Sequence, residues 1–102
     1  MTKKQIKDSL VEQLRLQQKT SDFYMDLVED YVFYWDMKKK LIKDIKEKGV
    51  RYSTTNGNGL KVEKPNESIQ NLQKTTATML KILADLNLKE PMHNSDPETD
   101  YL

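Results

Sequence analysis

Ile6, Leu10 and Leu14 recur every four residues among polar neighbours, and Val11 widens the stripe they form. That period predicts a helix. Thr2 followed by Gln5 has the spacing of a capping box at its start, and the pattern runs to about Lys19. Lys4, Lys7 and Arg15 fall on another face, so this helix is weakly amphipathic and must lean on a neighbour. Thr20 and Ser21 interrupt the pattern and offer a new N-cap, with Asp22 and Asp26 placed where carboxylates favour the positive end of a helix dipole. From Asp22 to Lys48, about 40 Å at 1.5 Å per residue, Tyr24, Leu27, Val28, Tyr31, Tyr34, Trp35, Leu41, Ile42 and Ile45 share one broad face. Opposite them lie Asp22, Asp26, Glu29, Asp30, Asp36, Lys40, Asp44 and Glu47. Gly49 stands just past the end, with Lys43, Lys46 and Lys48 in the last turns. A third stripe, Ile69, Leu72, Met79, Leu80, Leu83 and Leu86, includes the small residue Thr76 and predicts a helix over 67–87. Asn66 can cap its start, Asn87 is a permissible left-handed cap before Leu88, and Pro91 ends the element.

Two residues break the pattern of the second helix. Phe33 sits in the polar face, either as a stray exposed aromatic or as an anchor for a neighbouring subunit. Lys38 sits in the apolar face, either snorkelling along its stem or fixing register as polar residues do in helical seams.

Between the second and third helices runs GVRYSTTNGNGLKVEKPN, which holds all three glycines. A P-loop needs G-x-x-x-x-G-K-[ST], and a dinucleotide fingerprint needs G-x-G-x-x-G. Gly57 and Gly59 are too close for the first, and Val62 occupies the place of the third glycine in the second. Alternating strand formers on either side of a doubled Asn-Gly instead predict a β-hairpin over 50–64. A lone two-stranded hairpin is marginal in water, so it must pack on the helices or pair with another chain. Tyr52, Leu60 and Val62, with Phe33, are the candidate contacts between copies. The fold expected is therefore mainly α: an antiparallel helical hairpin, an additional N-terminal helix over 1–19, and a short β-hairpin between the two long helices, oligomeric in use.

Composition narrows the chemistry. The 102 residues include no cysteine and one histidine, His93, so thiolate metal sites, cysteine nucleophiles and histidine clusters within one chain are excluded. The N-terminus is polar and unlike a signal peptide, and no apolar run approaches the roughly 20 residues that span a bilayer, so an intracellular, soluble chain is expected. Asp26, Glu29 and Asp30 cluster on one helical face, but such faces are solvated and nothing nearby would raise a carboxyl pKa. No catalysis, cofactor, metal or small-molecule substrate is expected. The net charge of +1 conceals segregation: −5 over 20–37, +6 over 38–64 and −4 over 90–102. Residues 92–102 read as an acidic flexible tail after a single helical domain over 1–91.

The order of these parts resembles the small subunit of tailed-phage terminase. The resemblance covers about residues 20–91: an aromatic-rich helix with Tyr24, Tyr31, Tyr34 and Trp35, then Lys48-Gly49, a Gly/Asn-rich hairpin, Lys64-Pro65-Asn66, and a last helix ending LADLNLKEP. Asn87 stands where an L-G-L-x-P ending would have glycine, and Pro65-Asn66 inverts the more usual order. The resemblance implies a ring-like homo-oligomer in the cytoplasm of the bacterial host. Its implied partners are double-stranded viral DNA and the large terminase subunit, which carries the ATPase and the nuclease. Lys38, Lys39, Lys40, Lys43, Lys46, Lys48, Arg51, Lys61 and Lys64 form the candidate DNA-contacting block. The plain alternative for that block is a solvated helix end. The alternative for the whole chain is a helical-hairpin interaction module that never touches DNA.

Overall fold

The computed structural model describes residues 1–88 and contains α1 (Lys3–Leu16), α2 (Asp22–Lys48), β1 (Arg51–Thr55), β2 (Lys61–Pro65) and α3 (Glu67–Asp85). The described residues are mainly helical, with an antiparallel two-stranded sheet between α2 and α3, as the hydrophobic pattern predicts. The acidic tail expected over 92–102 lies outside the described residues. The fold divides into two compact units: Met1–Val32 with the described residues from Leu80 on, and Phe33–Met79.

In the first unit α1 opens on its capping box. Thr2 Oγ1 accepts from the Gln5 N–H at 3.1 Å, and Gln5 Oε1 accepts from the Thr2 N–H at 2.8 Å. The helix stops at Leu16, short of the expected Lys19, because Gln18 turns left-handed at φ 60°. The Lys19 N–H then returns to the Leu14 carbonyl at 2.9 Å and the Gln18 N–H to Arg15 at 3.0 Å, the two bonds of a Schellman closure. Asn87 ends α3 in the same way, as its sequence predicts: φ is 60°, and Leu88 and Asn87 donate to the Leu83 and Ala84 carbonyls at 2.8 and 3.0 Å.

The buried side chains of this unit are Leu10, Leu14, Val28, Val32, Ile82, Leu86 and Leu88. Lys19 ties the ends together by donating from Nζ to the Leu86 carbonyl at 3.4 Å. The expected α3 stripe needs correction here: Leu80 is 62% exposed, while Ile82, absent from that stripe, is buried. Met79, Ile82 and Leu86 keep the spacing of three and four that holds one helical seam, and Leu80 lies a further ~100° around from Met79.

In the second unit the facing parts of α2 and α3 are antiparallel. Asp44 accepts from Ser68 Oγ at 2.6 Å, and Met37 Sδ accepts from Thr75 Oγ1 at 3.9 Å, so one residue number falls as the other rises. Asn66, Thr75 and Met79 are its buried residues; Trp35, Leu41, Ile42, Ile45, Ile69 and Leu72 are half-buried. Apolar cover is thin, and polar contacts at Asp44 and Asn66 add to it in fixing position.

Asn66 is the knot of this unit. Its Oδ1 caps α3 by accepting from the Ser68 N–H at 3.0 Å, while its Nδ2 donates to the Gly49 carbonyl at 2.9 Å. Its own N–H reaches Val50 at 2.7 Å, closing the base of the hairpin. Gly49 leaves α2 at φ 77°, a conformation that glycine adopts without a Cβ penalty.

The hairpin register pairs Arg51 with Pro65 and Thr55 with Lys61. Bonds from Asn56 N to Leu60 O at 2.9 Å and from Asn66 N to Val50 O bracket the ladder. Antiparallel alternation therefore makes 52/64 and 54/62 the hydrogen-bonded pairs. The backbone groups of 51, 53, 55, 61, 63 and 65 point away from the partner strand, so Pro65 sits where its missing N–H costs the ladder nothing. At the tip, Asn56 Oδ1 accepts from the Asn58 and Leu60 N–H groups at 2.9 and 3.0 Å, and Gly59 takes φ 78°. The Gly-rich stretch is a turn held by its own asparagine.

Candidate nucleic-acid interface

Spacing decides which basic side chains meet. Lys39, Lys43 and Lys46 stand four and three residues apart on α2, hence on one face of the helix. With Ile42 they line an open depression of about 360 Å³. Lys39 Nζ lies 4.6 Å from the centroid of the Trp35 ring one turn earlier, so the upper end of the stripe joins a cation to an aromatic face.

The other six candidates are placed differently. Lys38 and Lys40 lie about 100° to either side of Lys39; Lys38 is half-buried, and Lys40 pairs with Asp36 at 3.5 Å. Lys48 pairs with Asp44 at 3.3 Å and stands over the Tyr52 ring at 5.2 Å. Arg51 donates to Glu63 at 2.8 Å across the hairpin. Lys61 and Lys64 are exposed on β2 and take no part in the lining of the depression. Exposed ion pairs contribute little to stability, so those of Lys40 and Arg51 yield readily to an incoming anion.

Asp44 holds its place more firmly. The hydrogen bond from Ser68 lowers its carboxyl pKa most; the neighbouring Lys48 ammonium and Asn66 side chain lower it further, against the opposing effect of burial. It is therefore ionised at neutral pH and anchors Lys48 beside the hairpin. Nothing in the sequence spacing signals this contact, since Asp44 and Ser68 are 24 residues apart. The Trp35–Lys39 pair did carry a signal, the i, i+4 spacing of helical neighbours.

Among the candidate contacts between copies, Phe33 and Leu60 are 60% and 64% exposed, whereas Tyr52 and Val62 are half-buried. Phe23, outside the expected set, is also exposed. Phe23 and Phe33 each meet the following tyrosine edge to face, at 5.4 and 5.5 Å between centroids. Among the described residues no helix is long and apolar enough to cross a membrane.

Comparison with known families places this geometry in context. Residues 4–91 match the family model described as phage terminase, small subunit. No curated protein and no solved structure matches the chain.

Proposed function

We propose, for a chain that belongs to the family of phage terminase small subunits, that it grips double-stranded viral DNA at the start of packaging and brings the large subunit to it. The family places the chain in phage genome packaging; DNA contact, recruitment and assembly into a homo-oligomer in the host cytoplasm are the reading advanced here. The observation that carries it is the Lys39–Lys43–Lys46 stripe beside Trp35. One exposed face of α2 thus presents three ammonium groups on flexible stems, one for each of about three backbone phosphates. Lys61, Lys64 and Arg51 extend positive charge along the hairpin. The contact is to phosphates and carries no sequence preference by itself. On this reading the chain performs no chemistry; the large subunit supplies it.

The test is the affinity for a DNA duplex of the wild-type chain and of Lys39→Glu with Lys43→Glu, with helical content checked by circular dichroism. Weakened binding by a folded variant supports the reading, and unchanged affinity rejects the stripe. The second reading, an interaction module that binds only protein, draws on the exposed Phe23, Phe33, Leu60 and Leu80. It predicts an oligomer that ignores DNA even at low salt.

A further inference from the structure

The hairpin carries two backbone edges, and they are not equivalent. On β1 the outward groups belong to Arg51, Ser53 and Thr55, all exposed, each with an N–H and a carbonyl. On β2 they belong to Lys61, Glu63 and Pro65, and Pro65 has no N–H to give. Among the described residues no hydrogen bond from another element reaches the backbone of Ser53, Thr55, Lys61 or Glu63. Two open edges on so small a sheet are sites for strand addition.

We propose that β1 of one copy adds to β2 of a second copy, antiparallel, with Arg51 opposite the second copy's Glu63 and Ser53 opposite its Lys61. This deepens the homo-oligomer reading above and does not depend on DNA contact. Three observations select that partner and that register. Arg51 and Glu63 already attract one another within the chain at 2.8 Å, and the added strand continues the alternation of Arg and Glu along the sheet. On the other face the same register sets Tyr52 against Val62, an aromatic and β-branched cross-strand pair of a favourable kind, and Thr54 against Leu60. It thereby gives the 64%-exposed Leu60 a neighbour. Pro65 is left opposite Gly49, outside the added ladder, so no hydrogen bond is lost to it. Repeating the intrachain register between copies would instead set Arg51 against Pro65 and forfeit a bond. The pairing is head to tail: every copy offers one β1 edge and one β2 edge, so addition repeats from copy to copy and closes into a ring where the rotation between copies allows.

The chain has no cysteine, which makes the test clean. Ser53→Cys and Lys61→Cys single variants are mixed in equal amounts under a glutathione redox buffer. Directly opposed residues in a hydrogen-bonded pair lie about 5.5 Å apart at Cα, within disulfide reach. The expected product is the Ser53→Cys/Lys61→Cys heterodimer, with neither variant linking to itself. A Ser53→Cys homodimer would mean two β1 strands meeting about a two-fold axis and would overturn the proposal, as would the absence of any cross-link. Ser53→Pro supplies a second reading. It removes an outward N–H that makes no bond within the hairpin, so far-UV circular dichroism should be unchanged while the mass by light scattering falls; a folded variant of unchanged mass would also overturn the pairing. Duplex binding is measured in parallel on the wild-type chain, which keeps Lys61: cross-links between the variants without duplex binding by wild type uphold the strand pairing and defeat the DNA reading, and duplex binding without cross-links does the reverse.

Discussion

Replacing Asn66 measures how far its two polar contacts hold the second unit together. In Asn66→Ala the cap on the Ser68 N–H goes, a loss of about 1 kcal/mol for helix caps. The bond to the Gly49 carbonyl goes as well, another ~1 kcal/mol. Because Asn66 is buried, the abandoned groups have poor access to water, which raises the expected total to about 2–3 kcal/mol. For a domain of this size that lowers the melting midpoint by about 10–20 °C. Asn66→Ser separates the two bonds: serine caps a helix as well as asparagine but is too short to reach Gly49, so it should show about half the loss. Thermal melts followed by far-UV circular dichroism decide it. A midpoint for Asn66→Ala within a few degrees of wild type would refute the reasoning, and equal losses for the two variants would show that the cap contributes nothing.

The depressed pKa of Asp44 gives stability a dependence on pH. Folding favours its ionised form, so the contribution is complete above the unfolded value of about 3.9 and is lost as pH falls through the lower folded value. Wild type should therefore lose more stability than Asp44→Asn on acidification below about pH 4, read from urea midpoints at stepped pH; parallel curves would contradict it. Leu14→Ala removes a fully buried side chain and should cost about 2–5 kcal/mol, whereas Leu80→Ser, at an exposed position, should stay within about 0.5 kcal/mol; urea unfolding of both variants checks the corrected α3 seam. Phe33→Asp should lower the assembly mass in light scattering without loss of helix, and an unchanged mass would leave Phe33 outside the contact between copies.

Local signals were legible in the sequence. Thr2 with Gln5, Gly49, Asn66 and Asn87 each act through backbone groups a few residues away, and all four stand where their chemistry places them. Gln18 was not legible: glutamine bears no mark of a left-handed closure, and α1 ends early because of it. The exchange of Leu80 for Ile82 in the buried seam turned on one helical step, a choice made by the packing partner and not by hydrophobicity. The Asp44–Ser68 bond joins residues brought together only by the turn of the chain. The basic block looked continuous from 38 to 64; helical geometry divides it into a stripe of three on α2, the half-buried Lys38, three side chains paired with carboxylates, and two lysines on β2.

Phosphate contact by the α2 stripe is read from the dependence of duplex affinity on salt. Each phosphate neutralised adds ~0.9 to the steepness of log K against log salt. Three contacts per bound subunit predict a slope of about −2.7 or steeper for wild type, falling by about 1.8 in Lys39→Glu with Lys43→Glu. Equal slopes for the two proteins, or no binding by wild type at low salt, would contradict the account.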